Sequence, residues 1–271
     1  MKLELRALIL MRLRWFFRRL ASFPAWMILS AEDSAIESGP PQRFRRAWLG
    51  MMLVGGLWGV ALCCTWGLAS KVFGDFEDLP IMPAMAALTM TALIPGRRAI
   101  IALSEIGAKA SSTQSLLRSL MLVVFALCLV VLRTSPHYLE YPLPYWIDWI
   151  RPPWKPFRVL MLMPLWGAWA MLINARFHKP MPDAQKAIAA FAEGCGPLCA
   201  AASLVPPLAG SLFYFHYLGV WRQMSIAFWP TAAAIGGGWI VCRGRGLGRT
   251  SLLAVNLLTQ FVFLLAYLAN R

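Results

Sequence analysis

Glu193, Asn174, Asn256 and Gln260 are polar residues set where polarity is expensive, each inside a long apolar run of a chain that is 59% hydrophobic and 14% charged. An unpaired charge at mid-bilayer costs about 2.5–3.5 kcal/mol on an insertion scale, so residues kept there are the first candidates for chemistry. Glu193 stands four residues before Pro197, where a broken helix frees carbonyl groups that must be satisfied locally. A carboxylate beside a broken helix is what a small proton- or cation-coupled transporter would use. Asn256 and Gln260 are one turn apart on one face, and Asn174 lies near the inner end of its run. The four could meet as one polar site in a bundle interior. The competing use, favoured here, is hydrogen bonding between helices at ~0.6 kcal/mol per bond.

Other chemistry finds little support. The phosphate loop GxxxxGK(S/T), HExxH, GxSxG and CxxCH are all absent, so no enzyme activity is expected. Cys195 and Cys199 would share a helix face with Glu193 close by, but soft metals need three or four convergent ligands and no histidine is near in sequence. Cys63, Cys64, Cys128 and Cys242 lie within or at the ends of apolar runs, where cysteine acts as a small apolar residue. Asp75, Glu77 and Asp78 read as a solvated loop, and His137, His178 and His216 are scattered. No cofactor or metal is expected. The glycine–arginine stretch 244–249 lacks the dinucleotide spacing; Arg245 and Arg249 could hold a lipid phosphate, although a basic cytoplasmic turn accounts for them too.

Positioning these residues requires membrane spans. A bilayer core of ~30 Å needs ~20 apolar residues in a fully hydrogen-bonded helix. Seven stretches in the 271 residues qualify: 47–70, 80–96, 116–132, 158–175, 187–210, 223–242 and 251–269. The run 116–132 is short unless extended past Arg118 into the Ser-rich segment before it, and 80–96 is marginal between Pro80 and Pro95. The run 187–210 should be kinked or broken, since it holds Pro197, Pro206 and Pro207. The fold class is therefore all-α, a polytopic bundle of about seven spans occupying 47–269. With the N-terminus inside, 19 of the 26 basic residues fall on the cytoplasmic side, which predicts N-in, C-out and explains most of the net charge of +14 without nucleic acid.

Two segments flank this domain or interrupt it. Residues 1–30 read as a membrane-surface unit: Leu5, Ile9, Leu13, Phe16 and Leu20 form an apolar stripe, while Arg12, Arg14, Arg18 and Arg19 lie off it as headgroup contacts for an anionic inner leaflet. Residues 31–46 are a polar linker. The outer segment 136–157 places six prolines among aromatic residues, so it cannot be a continuous helix through lipid. Tyr141, Tyr145, Trp146, Trp149 and Trp154 suit either an interfacial aromatic belt or docking to another subunit. A second aromatic patch, 212–221, is expected on the same side.

Residues 165–210 run through a span, a short basic loop, an amphipathic lead-in at 184–191, a small-residue stretch ending at Pro197, and another span. Residues 235–254 add a helix, a glycine-bearing basic turn and a helix. Over about 165–269 this order of parts resembles the Yip family of polytopic membrane proteins, named for Ypt/Rab-interacting proteins and also found in bacteria. The resemblance implies a non-enzymatic helical bundle. Family members usually have five spans against the seven expected here, and the DLYGP-like cytosolic motif of eukaryotic members is absent, so no Rab-binding role follows.

These readings predict an integral multi-pass protein of the cytoplasmic (plasma or inner) membrane, without enzymatic activity, acting through lipid and protein contacts as an accessory subunit of a larger complex. The alternative is a small transporter or channel built on Glu193 and Pro197.

Overall fold

The computed structural model describes residues 47–73, 81–91, 97–107, 111–133, 155–182, 186–243 and 246–271. The expected surface helix 1–30, with Arg12, Arg14, Arg18 and Arg19, lies outside these residues. So do the linker 31–46, the aromatic residues Tyr141, Tyr145, Trp146, Trp149 and Trp154, and Arg245.

The described chain is all-α. It comprises α1 (Ala47–Val72), α2 (Ile81–Thr91), α3 (Arg97–Gly107), α4 (Ser111–Arg133), α5 (Lys155–Phe177), α6 (Lys186–Gly194), α7 (Pro197–Tyr214), α8 (Val220–Ala232), α9 (Gly238–Cys242) and α10 (Arg249–Asn270). A π-helical segment, Ala233–Gly237, welds α8 and α9 into one rod. Six rods are long and apolar enough to cross a membrane: α1, α4, α5, α7, the α8–α9 rod and α10. As expected, α4 reaches back through the Ser-rich segment to Ser111.

Of the seven expected spans, 80–96 yields only the 11-residue α2, about 16 Å long at 1.5 Å per residue. The crossing it stands for is nonetheless required by the directions of its neighbours. Helices α1 and α5 are antiparallel, since Gly55 abuts Pro164 and Ala168 while Cys63 reaches the Phe157 carbonyl. Helices α5 and α10 are also antiparallel, since Gly167 lies against Asn256 and Gln260 while Leu247, just before α10, donates to the Lys179 carbonyl just beyond the end of α5. Helices α4 and α10 run parallel: Phe125 packs on Phe261, and Arg271 Nη1 donates to the Val131 carbonyl at 2.7 Å. So α1 ends on the face where α4 also ends, while α4 begins on the opposite face. The chain between them must traverse the bundle, and α1 begins on the face opposite the end of α10.

The run 187–210 is broken between Glu193 and Pro197, as expected, with Cys195 and Gly196 non-helical. Pro197 does not interrupt a helix but starts α7, where its missing N–H costs nothing, with Gly196 as the cap. Pro206 and Pro207 lie inside α7, whose hydroxyl at Ser211 bonds back to the Pro207 carbonyl at 2.7 Å.

Helix α5 is the hub. Its buried face carries Trp166 and Trp169, edge to face at 5.6 Å, and Trp166 meets Phe263 of α10. Phe215 continues the stack onto Phe263 and Tyr267. Without water to drive helices together in lipid, close packing and interhelical hydrogen bonds must do the work. Both are present. At Gly59 of α1 an added Cβ would stand 2.6 Å from the Met161 carbonyl oxygen and 2.7 Å from its Cα, so only glycine lets these backbones touch. The Trp166 indole N–H donates to Ser211 Oγ at 3.0 Å, and that of Trp169 to the Ala200 carbonyl at 3.2 Å.

Candidate functional site

The four intramembrane polar residues do not meet. Asn256 and Gln260 form one pair, the Gln260 Nε2 donating to Asn256 Oδ1 one turn away. The pair is seated against Gly167 of α5, where a Cβ would lie 2.8 Å from Gln260 Nε2. Asn174 is two turns further along α5 and faces the α8–α9 rod. Its Nδ2 donates at 2.8 Å to the Ala170 carbonyl of its own helix and at 2.8 Å to the Ala234 carbonyl in the π segment. A π turn widens the backbone and leaves carbonyls poorly satisfied. Asn174 supplies a donor there, and Gly238 clears the space that its amide fills.

Glu193 is separate from all three. The expectation that it sits inside a span does not hold: it lies in the last turn of the short helix α6, is exposed, and precedes the spanning helix α7. Phe191 and Cys195 beside it turn inward instead, Cys195 Sγ approaching the Leu172 carbonyl at 3.4 Å. Glu193 thus lies outside the bundle interior. The cysteines are free thiols, mostly packed as small core residues. Among the described residues no three of His, Cys, Asp and Glu converge.

The basic turn before α10 is built into the fold. Leu247 N donates to the Lys179 carbonyl at 2.8 Å and Met181 N to the Leu247 carbonyl at 3.0 Å, which ties the two loops on that face together. Gly246 has φ +85°, a left-handed conformation, and is crowded by Lys179 and Met181. Beyond this turn Arg249 lines an open groove of about 320 Å³ with Arg98, Glu105 and Thr250. Arg249, one of the expected headgroup contacts, therefore has a second cation from α3 beside it.

The sequence reading missed two features. Arg158, at the edge of the apolar run 158–175, is fully buried in the first turns of α5, its Nη1 donating to the Tyr214 carbonyl at 3.1 Å. Nearby, the Tyr217 and Tyr267 hydroxyls are 3.5 Å apart and Lys155 lies over the Tyr217 ring. The only sequence signal was an arginine at the very edge of an apolar run.

The second feature is aromatic. The patch 212–221 divides, with Phe215 buried and Phe213 and Trp221 exposed. Exposed aromatics then continue down the α8–α9 rod as Phe228, Trp229 and Trp239. Trp221 and Trp239 sit near the two ends of the rod, where an aromatic belt is expected, and Arg243 covers the Trp239 ring at 4.7 Å. Trp229 is different. It lies at mid-rod, 52% exposed, with its ring against Phe228.

No protein-family model, curated protein or solved structure matches this chain. Its architecture therefore stands on its own geometry: six membrane-length apolar rods around a hydrogen-bonded aromatic hub make it an integral, multi-pass membrane protein.

Proposed function

We propose that the chain is a non-enzymatic membrane protein that works through lipid and protein contacts, as an accessory or structural subunit of a larger assembly in a cytoplasmic (plasma or inner) membrane. The observation that carries this reading is Trp229. An indole is most at home at the headgroup level, where its N–H can be hydrated, and it is also a preferred anchor of protein contacts. At mid-rod the belt explanation fails, and a neighbouring transmembrane chain would cover both Trp229 and Phe228. The polar residues support the same reading, because Asn174, Gln260, Trp166 and Trp169 are engaged in hydrogen bonds that hold the bundle together. The Yip-type resemblance, which implies a non-catalytic bundle, points the same way, and the N-in orientation follows from the distribution of basic residues.

Purification of the tagged full chain from native membranes tests this. A single companion chain in fixed stoichiometry is expected with the wild type and lost with Trp229→Ala combined with Phe228→Ala, while the variant keeps its size-exclusion profile. An unchanged companion would remove Trp229 as the anchor, and a wild type that purifies alone would remove the subunit reading.

A further inference from the structure

Among the described residues a cavity of about 180 Å³ lies between α2, α3, α4 and α10. Its lining is apolar: Leu88 from α2, Leu103 from α3, Met121 and Phe125 from α4, and Leu257 and Phe261 from α10 are representative. The one hydroxyl on the wall, that of Thr91, is turned into its own helix and donates to the Ala87 carbonyl at 2.8 Å. The described residues of the wall thus offer an occupant no polar group, and Leu120, which also lines the cavity, is 56% exposed, so the space opens to the surface of the bundle.

A cation stands at one end of this space. Arg118 is one turn before Met121 and Leu122 on α4, and so lies on the same side of the helix. Its Nε donates to Ser104 Oγ at 2.8 Å, and Ser104 directly follows Leu103 of the cavity wall. That bond holds the guanidinium beside the segment of α3 that lines the cavity. Among the described residues the bond to Ser104 is the hydrogen bond that Arg118 makes, which leaves its two terminal nitrogens as donors. Because Met121 and Leu257 share the cavity on parallel helices, Arg118 is about 7 Å deeper than Arg249, at 1.5 Å per residue. A cation at that depth is stabilised by a phosphate drawn down to it, and a guanidinium binds phosphate oxygens in a two-pronged fashion.

We propose that this is a phospholipid site of the inner leaflet, with the lipid phosphate on Arg118 and one acyl chain in the cavity between α2, α3, α4 and α10. The site deepens the lipid half of the function proposed above and does not depend on a companion subunit. A dry apolar space of this size suits an acyl chain better than water, which needs two or more polar partners to remain in a cavity.

The test uses the full chain, purified alone and reconstituted in nanodiscs of phosphatidylcholine and phosphatidylglycerol at 3:1, then released into the gas phase for native mass spectrometry. The wild type is expected to carry one phospholipid adduct, with occupancy reduced about tenfold in Arg118→Gln, the loss of a charge-assisted pair, and restored largely by Arg118→Lys. Leu103→Trp, which fills the cavity and leaves the cation intact, should reduce occupancy to a similar degree. A wild type without an adduct, an adduct with the mass of a free fatty acid, or equal occupancy in wild type, Arg118→Gln and Leu103→Trp would each overturn the assignment. Because no partner is present, loss of the companion chain in native membranes and loss of the lipid adduct are independent results.

Discussion

Helices α4 and α5 are both 23 residues long and both span the bundle, yet they are built on opposite plans. Helix α5 has the lower mean hydropathy, 1.4 against 2.6, and is 78% buried over its central window where α4 is 22% buried. In water the more apolar helix would be inside. In lipid the apolar helix loses nothing by facing outward, and the polar and aromatic one gains by meeting partners. Accordingly α5 carries Arg158, Trp166, Trp169 and Asn174, each donating to another helix or to the segment that follows one. Helix α4 presents Leu116, Leu120, Val123, Leu127 and Val131 outward in one continuous stripe. The hub is fixed by fit, whereas the periphery is free to accept lipid or another chain.

That contrast can be broken most severely at Gly59. Valine there would collide with the Met161 backbone, which cannot step aside, and should cost about 3 kcal/mol, the upper end for overpacking. Thermal unfolding in detergent would register it as a large drop in midpoint. Asn174→Ala removes the donor to the π segment together with its bond to Ala170, and a loss of about 1 kcal/mol is expected from two membrane hydrogen bonds. Gln260→Leu takes away one side-chain bond and should cost ~0.6 kcal/mol in the same assay. On the other side of the comparison, Val123→Ala on the outward stripe of α4 should change stability by less than about 0.5 kcal/mol. If Val123→Ala destabilised the chain as much as Asn174→Ala, the distinction between hub and periphery would be lost.

Much of this plan was legible in the sequence, because length and apolarity alone decide which segments can cross a membrane. The runs 47–70, 158–175, 223–242 and 251–269 became helices with ends shifted by a few residues. Which residues meet was not legible. Asn174, Asn256 and Gln260 were identified as intramembrane polar residues, but their grouping depends on how each helix is rotated, and Gly167 and Gly238 set that rotation by opening space on different neighbours. Glu193 was misplaced because 187–210 reads as one span; the break before Pro197 leaves it at the end of α6, ahead of the spanning helix that Pro197 opens. The burial of Arg158 depends on Tyr214, 56 residues away, which no local pattern records.

The central claim is that the exposed face of the α8–α9 rod is covered by another chain in the native membrane. Ile235, 51% exposed on that rod, and Met171, fully buried in α5, give a matched pair for site-specific photocrosslinking with a benzophenone-bearing residue. The account predicts that position 235 yields one protein adduct of a single discrete mass, which disappears with Trp229→Ala, while position 171 yields only links within the chain. Adducts from position 235 that contain lipid alone would contradict it.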